Sequence, residues 1–133
     1  MSRPVRSVWV VALALALSLA PHGASAQGLG GNAPADDLDT KLTRLLELLG
    51  SVQFLRQLCD PAETTRWRER ASLLIEAEDE DVARRERLTA AFNRGYRAFG
   101  AYRTCTDNAL FALDRFTVEG ERLTRDLLAR YGE

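Results

Sequence analysis

Leu38, Leu42, Leu45, Leu49, Val52 and Cys59 step along the chain by 4, 3, 4, 3 and 7 residues. That spacing lays one apolar stripe along a helix. Leu46, Leu48, Phe54, Leu55 and Leu58 widen the stripe, so a helix from Leu38 to about Cys59 is expected to bury much of its circumference. Gly50 weakens its middle by roughly 1 kcal/mol relative to alanine unless close packing compensates. A second helix is predicted to start at Asp60-Pro61-Ala62-Glu63. There the aspartate can cap, the proline suits the first helical position, and Glu63 can complete a capping box. It runs to about Ala77 with Trp67, Ala71, Leu74, Ile75 and Glu78 on one stripe.

The acidic run "EAEDED", residues 76–81, ends that helix and starts the next, since acids are favourable at a helix N-terminus. It lacks the alternating ligand spacing and central glycine of a calcium loop. The third helix, Val82 to about Arg103, is expected to bury Leu88, Phe92, Gly95, Tyr96, Phe99 and Tyr102. These aromatic residues read as core rather than as a ligand box. Thr104 or Thr106 caps a fourth helix, in which Ala109, Leu113, Phe116, Gly120, Leu123, Leu127 and Tyr131 recur every three or four positions before Gly132 closes it. No strand period competes. The expected fold is all-α, a small antiparallel bundle of about four helices.

Cys59 and Cys105 each stand at a helix break. In an up-down-up-down bundle the first and third turns share one end, so the two cysteines can meet if their Cα atoms come within about 7 Å. A structural disulfide stapling the two hairpins is the expectation. Neither thiol has a CxxC partner or a neighbouring histidine to activate it as a redox or catalytic group.

An oxidising compartment is suggested by the first residues. Arg3 and Arg6 precede an apolar run from Val8 to Ala20, followed by Ala24-Ser25-Ala26, which is the order of a secretory signal peptide cleaved after residue 26. The run is shorter than the roughly 20 residues needed to span a bilayer, so no transmembrane segment is expected after cleavage. Residues 27–37, rich in Gly, Pro and Asp, read as a flexible lead-in. Residues 38–133 then form a single helical domain, and a periplasmic location follows.

Composition removes several chemistries. The one histidine, His22, and the one methionine, Met1, lie in the leader. The mature chain is thus without a His-dependent triad or a His-based metal site. Lys41, the one lysine, reads as a surface residue. Asp114, Glu119 and Glu121 offer carboxylates, but nothing in the sequence sets two at a glycosidase separation. We assign no catalytic, cofactor-binding or metal-binding residue. The mature balance of 16 basic against 19 acidic residues argues against nucleic acid as a partner. Within that acidic chain the third helix carries Arg84, Arg85, Arg87, Arg94, Arg97 and Arg103 against the single acid Glu86. Arg87, Arg94 and Arg97 share a face away from the aromatic stripe. They are the candidate contact face for an anionic envelope component or an envelope protein; pairing with acids of adjacent helices is the plainer reading.

The blocks "LRQLC" (55–59), "WRERASLLIEAE" (67–78), "AAFNRGYRAFGAYRTC" (90–105) and "EGERLTRDLLARYG" (119–132) resemble a family of small exported proteins of unknown function from alphaproteobacteria. The resemblance implies export, helices and a paired cysteine set, and brings no activity. The leading expectation is a non-enzymatic periplasmic helical module that binds a protein or envelope component. A carboxylate-dependent envelope hydrolase and a chaperone-like holdase are the alternatives.

Overall fold

The structure is a computed structural model that describes residues 33–63, 65–78 and 80–132. The expected leader, residues 1–26, and residues 27–32 of the expected lead-in lie outside them. The described chain forms four helices, α1 (Ala33–Cys59), α2 (Arg66–Glu76), α3 (Val82–Ala98) and α4 (Asp107–Tyr131), with no strand among the described residues. This is the all-α bundle that the periodicity predicts. Asp39 near the start of α1 pairs with Arg84 and Arg87 near the start of α3, so these two helices run parallel. Lys41 meets Asp126 near the end of α4, which therefore runs antiparallel to α1, as does α2.

The helix boundaries show where local chemistry was used differently. The first helix begins five residues before Leu38, with Asp36 in its first turn and Asp37 tied to Lys41 at 2.9 Å. The Asp60-Pro61 signal closes a turn rather than opening a helix. Asp60 accepts from the Ala62 N–H at 3.1 Å, and its carbonyl accepts from Glu63 at 3.0 Å. That is an Asx-type turn. The helix starts at Arg66, preceded by Thr65, whose hydroxyl donates to Glu69 at 2.7 Å. Asp81 caps α3 by accepting from Arg84 N–H at 2.8 Å. The third helix stops at Ala98 rather than near Arg103, because turns closed by Gly100 N–H to Arg97 and Tyr102 N–H to Phe99 redirect the chain. Those turns place Phe99 5.6 Å from the Phe116 ring and 5.7 Å from Tyr102. Thr106, not Thr104, caps α4.

The hub of the molecule is α1, which packs on all three other helices, whereas no Cα of α4 lies within 8 Å of α2 or α3. Two apolar clusters flank it. Leu46, Ala71, Leu88, Ala91 and Phe92 join α1, α2 and α3. Val52, Leu55, Ala109 and Leu113 join α1 to α4 at the cysteine end, with Trp67 and the Phe99–Tyr102 turn packed against them. The predicted wide burial of α1 follows from serving both clusters. Gly50 and Gly95 explain how closely α1 and α3 approach: a Cβ on Gly50 would lie 2.0 Å from the Phe92 carbonyl oxygen, and one on Gly95 1.8 Å from that of Glu47. Backbone fits where a side chain cannot. Ser51 seals the crossing by donating to Glu47 and Gly95 carbonyls at 3.1 and 3.2 Å. Cys59 and Cys105 are disulfide-bonded, with Cα atoms 4.9 Å apart, as their positions at the breaks predict.

Candidate binding groove

The separation of α2 from α4 leaves a groove whose floor is α1. Leu45, Leu49 and Val52 repeat at helical spacing and line that floor. The α2 wall is Trp67 and Arg70, one turn apart, and the α4 wall is Phe116, Gly120 and Thr124, four residues apart in series. The groove holds about 370 Å³ and continues into a more open recess of about 410 Å³ towards Leu73 and Leu74.

Charge is confined to the rim. The Arg70 guanidinium lies over the Trp67 ring, 4.8 Å from its centroid, a cation–π arrangement that keeps the ring fixed as a wall. Arg125 approaches Glu121 at 3.9 Å on the opposite lip, both well exposed. Glu121 is the one carboxylate among the groove's lining residues. The paired-acid geometry that glycoside hydrolysis requires is thus not assembled in this groove. The Trp67 indole N–H is closed off from solvent and has no acceptor among the described residues.

On its other side α4 is tied to α1 by polar contacts. The Arg44 guanidinium donates to both Glu119 oxygens, at 2.8 and 3.0 Å. Lys41 bridges Asp37 at 2.9 Å and Asp126 at 2.6 Å, and the Tyr131 hydroxyl donates to Asp37 at 3.0 Å. Arg44 accordingly holds the Glu119 carboxyl below its ordinary range, and hydrogen bonds from Lys41 do the same for Asp37 and Asp126. Lys41, expected to be an ordinary surface lysine, is a bridging residue between the first turns of α1 and the last turns of α4.

Arg87, Arg94 and Arg97 all stand on the exposed side of α3. Arg87 reaches back to Asp39 at 3.2 Å, as the plainer reading expects, and Arg97 donates to the Asn93 carbonyl at 3.1 Å. Arg94 and Arg97 have no ion-pair partner among the described residues. The aromatic residues Tyr96, Phe99 and Tyr102 are half-buried and pack against the clusters; the Tyr96 hydroxyl donates to Gln57 at 3.0 Å. Asp114 is exposed, and neither it nor Glu119 lines the groove. Gly120 and Trp67 were legible in the sequence only as stripe positions; their part in a groove depends on which helices fail to touch.

Among the described residues no group of three or more His, Cys, Asp or Glu side chains is placed to hold a metal ion, and no helix is long and apolar enough to cross a membrane. Comparison with curated proteins and with solved structures finds no match to either. The sequence does match, over residues 37–131, the family described as "Protein of unknown function (DUF2385)". That span takes in all of α2, α3 and α4, both cysteines and every residue of the groove. The chain belongs to the DUF2385 family.

Proposed function

We propose that this protein is a non-enzymatic, exported helical module that binds another protein of the cell envelope, and that the groove between α2 and α4 is its docking site. The observation that carries the reading is the unfilled groove itself. A domain this small has few apolar side chains to spare, yet it lines an open trough with Leu45, Leu49, Val52, Trp67 and Phe116. The single carboxylate in the lining, ion-paired to Arg125, favours binding over hydrolysis. Export is supported by the leader-like order of residues 1–26 and by the disulfide, which belongs to oxidising compartments. Arg94 and Arg97 supply a second, electrostatic contact in this proposal, with Arg87 partly committed to Asp39.

The test is site-specific photocrosslinking in the living envelope. A photoreactive residue at Thr124, inside the groove, is compared with one at Glu86 on the exposed side of α3 and one at Arg97 on the basic edge. Expected is a protein-sized adduct from Thr124, a weaker one from Arg97 and none from Glu86, on protein whose N-terminus is Gln27. A lipid-sized adduct at Thr124, equal adducts at all three positions, or an intact leader would reject the reading.

A further inference from the structure

Three glycines stand well inside the described helices, Gly50, Gly95 and Gly120. Glycine in a helix interior costs about 1 kcal/mol relative to alanine, so each needs a reason. Gly50 and Gly95 have one, since each meets the backbone of a crossing helix where a Cβ would collide. Gly120 does not: a Cβ built there meets nothing within 4 Å. It lines the groove, facing open space. No contact among the described residues accounts for it.

We infer that the groove receives an amphipathic helix of a partner protein, which crosses α4 at Gly120 much as α3 crosses α1 at Gly50 and Gly95. The inference rests on the reading of the groove as a protein-docking site and names the occupant. Length favours a helix over a short loop. Leu110 lies seven residues before Thr117 and Leu128 four residues after Thr124, so both stand on the groove side of α4. They are 50 and 63 % exposed, and Leu73 on the opposite lip is 68 % exposed. Leu110 and Leu128 therefore bracket the groove's α4 wall about 27 Å apart, the length of a helix of about 18 residues. Such a helix, laid on α1 between α2 and α4, would cover the floor and both lips at once.

Charge sets which way the occupant faces. The α4 lip neutralises itself through Glu121 and Arg125. The α2 lip does not: Arg70 stands over Trp67 with no ion-pair partner among the described residues. An occupant with acidic residues on the flank facing α2 would pair with Arg70 beside a desolvated apolar seam, and a basic flank there would be repelled. The partner segment is thus an acidic-flanked amphipathic helix.

The test uses the purified, disulfide-bonded mature protein, in which Trp67 is the sole tryptophan once the leader with Trp9 is gone. Three synthetic peptides of about 18 residues carry the same leucine stripe: one flanked by glutamate, one by lysine, and one glutamate-flanked with two central prolines that prevent a helix. Binding is read from Trp67 emission. The glutamate helix should bind, the lysine helix about tenfold more weakly, and the proline peptide not measurably. Gly120→Leu, whose Cβ meets no atom within 4 Å and whose side chain enters the groove, should weaken binding about tenfold or more while leaving the melting temperature unreduced. Thr124→Phe provides a second block that keeps Trp67 the sole tryptophan, and Arg70→Glu should reverse the preference between the glutamate and lysine helices. Equal binding of all three peptides, or unchanged binding by both blocked variants, overturns the inference. Self-association of the protein alone, abolished by Gly120→Leu, would overturn it in favour of a second copy. A protein adduct at Thr124 with no binding of the glutamate helix would reject the helical occupant and leave the docking site standing.

Discussion

Alanine at the three interior glycines should act with opposite signs, and Gly95→Ala is the informative case. Its new Cβ would sit 1.8 Å from the Glu47 carbonyl oxygen, whereas ordinary contact begins at 3.4 Å. Neither a Cβ nor a backbone oxygen can move aside by a rotamer change, so α1 and α3 must part by about 1.6 Å somewhere along the crossing. A radial gap of 0.5 to 1 Å already forfeits roughly a quarter to a half of a dispersion contact. The crossing buries Leu46, Leu88 and Phe92, each contributing about 1.5 to 3 kcal/mol. Loss on that scale is about 1 to 4 kcal/mol, to which the Ser51 hydrogen bond to Gly95 adds about 1 kcal/mol. The better helix propensity of alanine returns about 1 kcal/mol. The net expectation is a destabilisation of about 1 to 4 kcal/mol, on the scale usual for overpacking. Gly120→Ala has no collision to offset the propensity gain and should stabilise by about 0.5 to 1 kcal/mol. Urea unfolding followed by far-ultraviolet circular dichroism, with the disulfide intact, measures both. In a domain of about 100 residues each kcal/mol moves the melting temperature by about 4 to 8 °C, so the two variants should bracket the parent. Equal stability of Gly95→Ala and parent, or a Gly120→Ala protein weaker than the parent, would refute this account of the glycines.

Two further perturbations probe how α4 is held. Glu119, Asp37 and Asp126 have folded pKa values below their unfolded ones, so the stability they contribute is present above about pH 4 and fades as pH falls through the folded values. Glu119→Gln should therefore lower the urea midpoint at pH 7 and leave it unchanged near pH 2, by under about 1 kcal/mol because the pair is partly exposed; an equal loss at both pH values would contradict the ion-pair origin. Replacing both Cys59 and Cys105 with serine opens a 46-residue loop and should cost up to about 4 kcal/mol. Amide exchange should then rise first in α4, which meets only α1 among the helices, and a uniform rise through α3 and α4 would argue against that order.

Much of this architecture was legible in the chain because its signals were local. The stripes of α1 and α3, the acid-rich break between α2 and α3, and the cysteines at matching turns each depend on residues a few positions apart. The misplaced start of α2 has an equally local cause: Asp60 has one side chain and two competing uses, and the turn used it. The early end of α3 was less accessible, because Phe99 and Tyr102 continue its apolar spacing although they leave the helix to meet Phe116 and each other. Lys41 looked ordinary for a related reason. Its second partner, Asp126, is 85 positions away, and no periodicity marks such a pair.

The groove was hidden for a deeper reason. An apolar stripe tells which face of a helix is buried and says nothing about how many neighbours share the burial. On α4 the stripe runs from Ala109 to Tyr131, yet Ala109 and Leu113 alone are fully buried, while Phe116, Leu123, Leu127 and Tyr131 are half-covered. Two covalent or apolar anchors at the cysteine end and a lattice of charged contacts at the other suffice to hold this helix on α1 alone. Its remaining apolar surface is therefore not needed to fix its position. The same division separates the glycines: two are required by contacts inside the molecule, and the third lies where those contacts stop. The partner helix proposed for the trough would supply the neighbour that α4 lacks, which is why the groove-filling substitution at Gly120 should spare the fold and weaken docking.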